Sequence, residues 1–176
     1  MVEPSEFDET SVRGLSPRAQ ALAAARGKAR DIAARRPTAL VIGADTVVAL
    51  GQEALGKPRD GRHAVAMLKR LGGREHQVLS AICLVAPGGR VVSGLSSSVV
   101  SFETLTPKRI RTYVDGGEPI GKAGAYAIQG QAADFVSLVR GRRDTVIGLS
   151  TRLLLRLLRQ IDDPNAKTLS DNLDPS

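Results

Sequence analysis

A chain of 176 residues is long enough for one domain, and since 42% of its residues are apolar but only 3% aromatic, alanine, valine and leucine must fill its core. The net charge of +7 suits a cleft for a small polyanion or a nucleic-acid surface, but no basic stripe is interleaved with the aromatic residues that single-strand binding favours. No apolar run reaches the ~18–20 residues that span a membrane, and the acidic start has no apolar region, so we expect no signal peptide. Because Cys83 is the single cysteine, we expect no internal disulfide and a location in the cytoplasm.

The pattern of apolar residues predicts one domain that mixes helices and strands. In chain order we predict a helix over residues 16–35, a buried strand over 39–43 that stays extended to 50, a helix over 62–71, strands over 77–85, 90–95 and 97–104, a helix over 107–114, short strands over 124–129 and 135–139, and a helix over 151–161. Because the turn at residues 87–89 joins two strands as a hairpin, we expect an α/β fold with a mixed central sheet flanked by helices over residues 1–161. Residues 162–176 are polar and contain two prolines, which favours a disordered tail.

The alanine-rich segment near the N-terminus gives the clearest helix prediction. Ser16 and Pro17 suit the cap and first position of a helix. Leu22, Ala25 and Ile32 fall on one side of the helix, so we expect that side to face the core.

Residues 51–58 nearly match the phosphate-binding P-loop. Pro58 stands where the P-loop has a serine or threonine, so it offers neither the hydroxyl that holds Mg²⁺ nor a backbone N–H at a helix start. Lys57 precedes this proline and is therefore driven towards extended backbone. We interpret Lys57 as a lysine in a constrained loop rather than as part of a P-loop.

Two other segments place chemistry-bearing side chains beside strands. Asp45 comes just after a buried apolar strand, where α/β folds place reactive groups, although an aspartate there is also a common turn former. In residues 121–130, small residues allow close backbone approach, Lys122 supplies positive charge, and Gln129 has an amide that binds a base edge or a water. A glycine-rich hairpin with a solvated lysine is the alternative for this second segment.

Charged residues nearer the N-terminus extend this set. Asp8 and Glu9 add two carboxylates and Lys28 a further cation, although charges on a helix surface would also explain them. Together, scattered carboxylates and lysines suit cleavage of a phosphoanhydride, in which carboxylates hold a divalent metal and activate water while lysines neutralise the leaving pyrophosphate. His63 and His76 are separated along the chain and accompanied by no Cys–His cluster, so we expect no zinc site.

Four segments, met in this order along the chain, resemble the Maf family, also described as septum-formation-inhibitor-like proteins. The first contains Gly-Ala-Asp-Thr and is followed by Leu-Gly-Lys-Pro, and the third is rich in glycine and alanine around a lysine. The segments are residues 41–58, 67–78, 117–130 and 146–149.

The resemblance implies a fold like that of the inosine triphosphate pyrophosphatases. It implies hydrolysis of nucleoside triphosphates to monophosphate and pyrophosphate with Mg²⁺ or Mn²⁺, and frequently a homodimer. Asp45 would then be the general base and, with Glu9, face the metal, while Lys57 would act with them as a phosphate-binding cation. Substrate-binding positions carried over by the resemblance are Lys28, Thr46, Lys122 and Gln129. The chain resembles the branch that acts on dTTP and UTP more than the branch that prefers 7-methyl-GTP.

The sequence also departs from the family pattern. Maf proteins open with a strand and a Ser-x-Ser-Pro-Arg-Arg loop that contacts the triphosphate, and this sequence begins downstream of that loop, so we expect a fold lacking its first strand. Ser16-Pro17-Arg18 looks similar but follows Glu9 and is interpreted as a helix start. Gly121 stands where the family usually has aspartate. Because these losses weaken triphosphate binding, two alternatives stay open: a non-catalytic nucleotide-binding or regulatory protein, and nonspecific nucleic-acid binding.

Overall fold

The computed structural model of the protein describes residues 1–162. The helices are α1 (Pro17–Arg35), α2 (Gly61–Leu71), α3 (Pro107–Asp115), α4 (Arg143–Ile147) and α5 (Thr151–Asp162), and the strands are β1 (Val41–Leu50), β2 (Glu53–Leu55), β3 (Glu75–Val85), β4 (Val91–Phe102) and β5 (Val136–Arg140). Short 3-10 turns lie at Glu9–Val12, Ala123–Ala125 and Gln131–Phe135. Apart from Asp162, which ends α5, the predicted tail lies outside the described residues. Within residues 1–162, no helix is both long and apolar enough to cross a membrane.

One five-stranded sheet, in the order β2-β1-β3-β4-β5, organises the molecule. The expected α/β fold, with helices flanking one sheet, is confirmed. It differs in one respect from the mixed sheet that we expected, because every described strand pair is antiparallel. β3 is the central strand, whereas β2 pairs with β1 only at residues 48–50. The first part of β1 therefore has no pairing with β2.

Helices cover both faces of this sheet. On one face, the alanines of α1 pack against alternate side chains of β1 and β3, among them Val47, Leu79 and Cys83. On the other face, α2, α3 and the loops around residues 123–135 cover one end, and α5 covers Ile82 and Leu84 at the other end. Cys83 is a free, buried thiol, as expected, and burial raises its pKa.

Helix α1 begins as predicted, and Ala25 faces the core as expected, but alanines form the centre of the buried side instead of the larger apolar residues. The Ser16 side chain accepts a hydrogen bond from the Ala19 N–H, and Pro17 is the first helical residue. The buried positions are Pro17, Ala21, Ala24, Ala25 and Ala29. Leu22 and Ile32, which we expected to face inward, lie at the edge of the contact and are half-buried. Because alanine side chains are short, the helix backbone approaches the sheet closely.

Several other elements differ from the sequence prediction. The strand predicted over residues 124–129 is wrong, because Gly124 and Ala125 adopt left-handed backbone, with φ of 67° and 62°, and turn the chain. The two strands predicted over 90–95 and 97–104 form the single strand β4. The short elements β2 and α4 were not predicted; they contain three and five residues, too few for a periodic pattern.

Candidate active site

Asp45 and Lys28 meet where α1 crosses β1. Asp45 lies in the middle of β1, opposite Ala81 of β3, on the face that α1 covers. Lys28 Nζ donates a hydrogen bond to Asp45 Oδ1 at 2.6 Å. Gly43 makes this approach possible, because a Cβ added there would lie 2.5 Å from the Ala25 carbonyl oxygen. The small residue in the strand thus brings the lysine of the helix to the carboxylate.

Glu9 and Lys57 extend this pair into a chain of alternating charges. Glu9 opens the 3-10 turn Glu9–Val12, and its Oε1 lies 2.8 Å from Lys28 Nζ. Its other oxygen, Oε2, accepts a hydrogen bond from Lys57 Nζ at 3.4 Å. Lys57 itself follows β2 in the loop that leads towards α2. The N-terminal turn, α1, β1 and the loop after β2 therefore each contribute one charged side chain to the same place.

The pKa values of the three more buried groups differ in direction. Burial raises the pKa of the Asp45 carboxyl, and the hydrogen bond from Lys28 opposes that effect without cancelling it. The hydrogen bond from Lys28 lowers the pKa of Glu9. Burial alone would lower the pKa of Lys28, but the hydrogen bonds to Asp45 and Glu9 outweigh it, so the pKa of this ammonium is raised. Lys28 is therefore a fixed cation, and Asp45 is a stronger base than an ordinary aspartate.

A cleft of about 300 Å³ opens beside this chain of charges. Its far wall is the loop that contains Lys122, and the Gly124 N–H of that loop donates to the Gly56 carbonyl at 3.1 Å. Gly124 also packs directly on β1, since a Cβ at this position would lie 2.8 Å from Val48 Cγ1. These two contacts hold Lys122 and Lys57 at the same opening. The polar and charged side chains that line the cleft are Lys28, Asp45, Thr46, Lys57, Lys122 and Tyr126.

The cleft gathers most, but not all, of the residues singled out in the sequence. Thr46 lines it and donates a hydrogen bond to the Gly148 carbonyl at 3.4 Å, and Ser80 donates to the same carbonyl at 2.9 Å. Gln129 does not line the cleft and is exposed to solvent. The part played by Gly148 could not be predicted from the sequence, because its backbone carbonyl accepts hydrogen bonds from two hydroxyl groups that are far away along the chain.

Comparison with known proteins identifies the family of the chain. A family model described as Maf-like protein matches residues 1–161. The chain belongs to the Maf family. The resemblance noted in the four sequence segments is thereby confirmed.

Several related proteins match this Maf family member over most of its length. It is 41% identical over 157 residues to a dTTP/UTP pyrophosphatase of Caulobacter vibrioides, covering 89% of this chain and 81% of the relative. It is 43% identical over 158 residues to a dTTP/UTP pyrophosphatase of Carboxydothermus hydrogenoformans, covering 89% and 84%. A dTTP/UTP pyrophosphatase of Symbiobacterium thermophilum is 41% identical over 164 residues, covering 93% and 84%.

A buried aromatic cluster supports the floor of the cleft in this Maf family member. His76 Nε2 and Tyr126 Oη are 2.8 Å apart, and both rings contact Phe102 edge-on. Burial lowers the pKa of His76 to about 4, so its imidazole is neutral at physiological pH. Its Nδ1 is buried without a hydrogen-bond partner. His76 therefore has a structural position beneath Tyr126.

The carboxylates of the site fit a divalent cation that binds together with a phosphate ligand. Among the described residues, no group of three or more histidine, cysteine, aspartate or glutamate side chains could enclose a metal. Glu9 and Asp45 nevertheless both contact one ammonium group, and both line a hollow that also contains Lys57. Mg²⁺ is commonly held by one or two carboxylates plus substrate phosphates, which is the donor set that this arrangement offers.

Proposed function

We propose that this chain hydrolyses nucleoside triphosphates, with dTTP and UTP as its preferred substrates, to a nucleoside monophosphate and pyrophosphate. The observation that carries the proposal is the sharing of one cleft by the Asp45 carboxylate and the ammonium groups of Lys28, Lys57 and Lys122. The relatives named as dTTP/UTP pyrophosphatases support the choice of substrate.

In the proposed reaction Asp45 is the general base. Its carboxylate takes a proton from a water molecule, the water oxygen bonds to phosphorus, and the anhydride bond between the α- and β-phosphates breaks so that pyrophosphate leaves. Burial suits Asp45 to this task, because a carboxyl with a raised pKa holds the proton more firmly. Lys28 keeps the carboxylate in place through its 2.6 Å hydrogen bond.

The other cations bind the triphosphate. Lys57 and Lys122 enter the cleft from two different loops, so together they neutralise charge on adjacent phosphates and on the leaving pyrophosphate. Glu9 orients Lys28 and Lys57 by accepting a hydrogen bond from each. A bound divalent cation, Mg²⁺ or Mn²⁺, would be held by Glu9 and Asp45 and would further neutralise the phosphates. Thr46 lines the cleft and is proposed to contact the substrate.

Release of pyrophosphate from a panel of nucleoside triphosphates tests the proposal. We expect Asp45→Asn to lower kcat roughly 100-fold or more, as is typical when a general base is removed. Asp115→Asn, a matched change of an exposed aspartate at the end of α3, should leave the rate unchanged. Equal rates for Asp45→Asn and the parent would refute the role of Asp45. Thermal stabilisation by UTP without release of pyrophosphate would instead favour a non-catalytic nucleotide-binding protein.

Two further properties of the chain stay proposals. The first is a homodimer, which sedimentation of the purified chain would test. The second is a location in the cytoplasm, which fractionation of cells that express the chain would test. Gln129 is kept as a proposed substrate contact only through the resemblance, since its exposed side chain lies outside the cleft lining.

A further inference from the structure

A second, strongly cationic groove lies outside the cleft. It has a volume of about 590 Å³ and runs between β4 and the outer side of α5. Among residues 1–162, four arginines line it and no acidic side chain does. The groove and the cleft share no lining residue. The arginines that line the groove are Arg142, Arg152, Arg156 and Arg159.

Three of these arginines carry charge that no described neighbour compensates. Arg142 is paired with Asp144, its Nη2 lying 2.8 Å from Oδ2. By contrast, Arg152, Arg156 and Arg159 are exposed and form no ion pair with any residue between 1 and 162. They are spaced four and three residues apart, which places them on one side of α5. Like charges at this spacing repel one another, so the bare helix gains no stability from them.

The groove positions these side chains against the sheet. Arg156 reaches across to β4, where the site of a Cβ at Gly94 lies 3.2 Å from its Nη2. A larger residue at position 94 would push this guanidinium away. The absence of a side chain at Gly94 thus leaves room beside β4 for the guanidinium of Arg156, which remains exposed.

The shape and composition of the groove indicate the class of ligand. Arginine guanidinium groups bind phosphate oxygens through paired N–H donors. From Arg152 to Arg159 the helix rises roughly 10 Å, so long arginine side chains from its two ends can converge on a few linked phosphates. No aromatic side chain lines the groove, so bases have no stacking surface there. This argues for a compact polyphosphate and against a nucleic-acid strand.

We propose that the groove lined by Arg152, Arg156 and Arg159 is a second anion site, which binds a compact polyphosphate, either free pyrophosphate or the triphosphate of a nucleotide. The site lies next to the cleft but is separate from it. Residues 146–148 line the cleft, whereas Ser150 and Thr151, which follow after Leu149, line the groove. The proposal does not depend on catalysis in the cleft, because it concerns binding by different residues.

Calorimetric titration with inorganic pyrophosphate tests the site in a chain whose cleft is disabled by Lys57→Gln and Lys122→Gln. In this background we expect Arg156→Gln with Arg159→Gln to weaken pyrophosphate binding roughly tenfold or more. The matched control is Arg18→Gln with Arg111→Gln, which removes two exposed arginines from α1 and α3 and should change the affinity less than about twofold. An equal loss in both double variants would overturn the proposal, because it would show a nonspecific charge effect.

A second measurement locates the ligand without relying on substitutions. Saturating pyrophosphate should shift the backbone amide NMR signals of Thr151 and Arg152, and unchanged signals there would refute the site. UTP in place of pyrophosphate distinguishes the two sources: equal affinities indicate recognition of phosphates alone, and tighter binding of UTP indicates a nucleotide. Binding of a DNA oligonucleotide through the same arginines, with none of pyrophosphate, would overturn the assignment in favour of a nucleic-acid surface.

Discussion

Replacing Gly43 with alanine should separate α1 from β1 and disturb the Lys28–Asp45 pair. The added Cβ would lie 2.5 Å from the Ala25 carbonyl oxygen and 2.7 Å from Ala29 N. Because carbon and oxygen atoms normally approach to about 3.3 Å, the helix must retreat by nearly 1 Å. The Lys28–Asp45 hydrogen bond, now 2.6 Å, would then lengthen towards the limit at which it is lost.

Both stability and activity should report this movement. Overpacking of this kind costs about 1–3 kcal/mol, which corresponds to a fall of roughly 2–10 °C in Tm for a chain of this size. A misplaced catalytic group costs up to about 100-fold in rate, so we expect kcat for UTP hydrolysis to fall between tenfold and 100-fold. Thermal unfolding and pyrophosphate release measure the two effects.

The control for this experiment is Gly56→Ala, since a Cβ at Gly56 meets no atom within 4 Å. Its Tm should stay within about 1 °C of the parent. If Gly43→Ala were equally harmless in both assays, the close approach of α1 would not be what positions Lys28.

Three further outcomes are expected. Gly124→Ala places a Cβ on left-handed backbone, 2.8 Å from Val48 Cγ1, so it should lower Tm and, by displacing Lys122, raise KM for UTP. The control Gly117→Ala has similar backbone but no neighbour within 4 Å of the added Cβ, so it should lower Tm less. Lys122→Met should raise KM for UTP roughly tenfold, whereas Lys108→Met, at an exposed position of α3, should not. Equal KM values for the two variants would exclude Lys122 from triphosphate binding. Between pH 6.5 and about 4 the unfolded chain protonates His76 while the folded chain keeps it neutral, so the free energy of unfolding should fall on acidification by up to about 3 kcal/mol. Denaturant titrations across this pH range should show this fall in the parent and in the control variant His63→Gln, but a smaller fall in His76→Gln. If the free energy of unfolding of His76→Gln fell as steeply with pH as that of the parent, His76 would not be the cause.

The sequence predicted those parts of the fold that depend on local patterns. Ser16 and Pro17 mark the start of α1 because capping involves neighbouring residues, and the strands around Asp45 follow from runs of apolar residues. The sequence could not predict that alanines, and not Leu22 or Ile32, form the centre of the contact between α1 and the sheet. Leucine and isoleucine are more apolar than alanine, but the contact opposite Gly43 has room only for short side chains such as Ala25.

The sequence predicted which residues form the candidate site better than it predicted how they are arranged. Asp45, Lys28, Lys57 and Lys122 were singled out from four distant segments, and the structure places them around one cleft. Gln129 is different, because a strand was expected where Gly124 and Ala125 turn the chain, and the turn carries residue 129 away from the cleft. An alanine in left-handed backbone cannot be recognised from the residue type, so the conformation of this loop could not be predicted from the sequence.

The central position of β3 has a consequence for how the molecule opens. Hydrogen bonds join β3 to β1 over nine residue pairs and to β4 over eleven, whereas β2 forms three pairs with β1. In hydrogen–deuterium exchange the amides of β3 should therefore exchange only when the whole domain unfolds, while those of β2 exchange by local fraying. Lys57 lies two residues after β2, so we expect fraying of β2 to displace this lysine of the cleft while the interior stays folded.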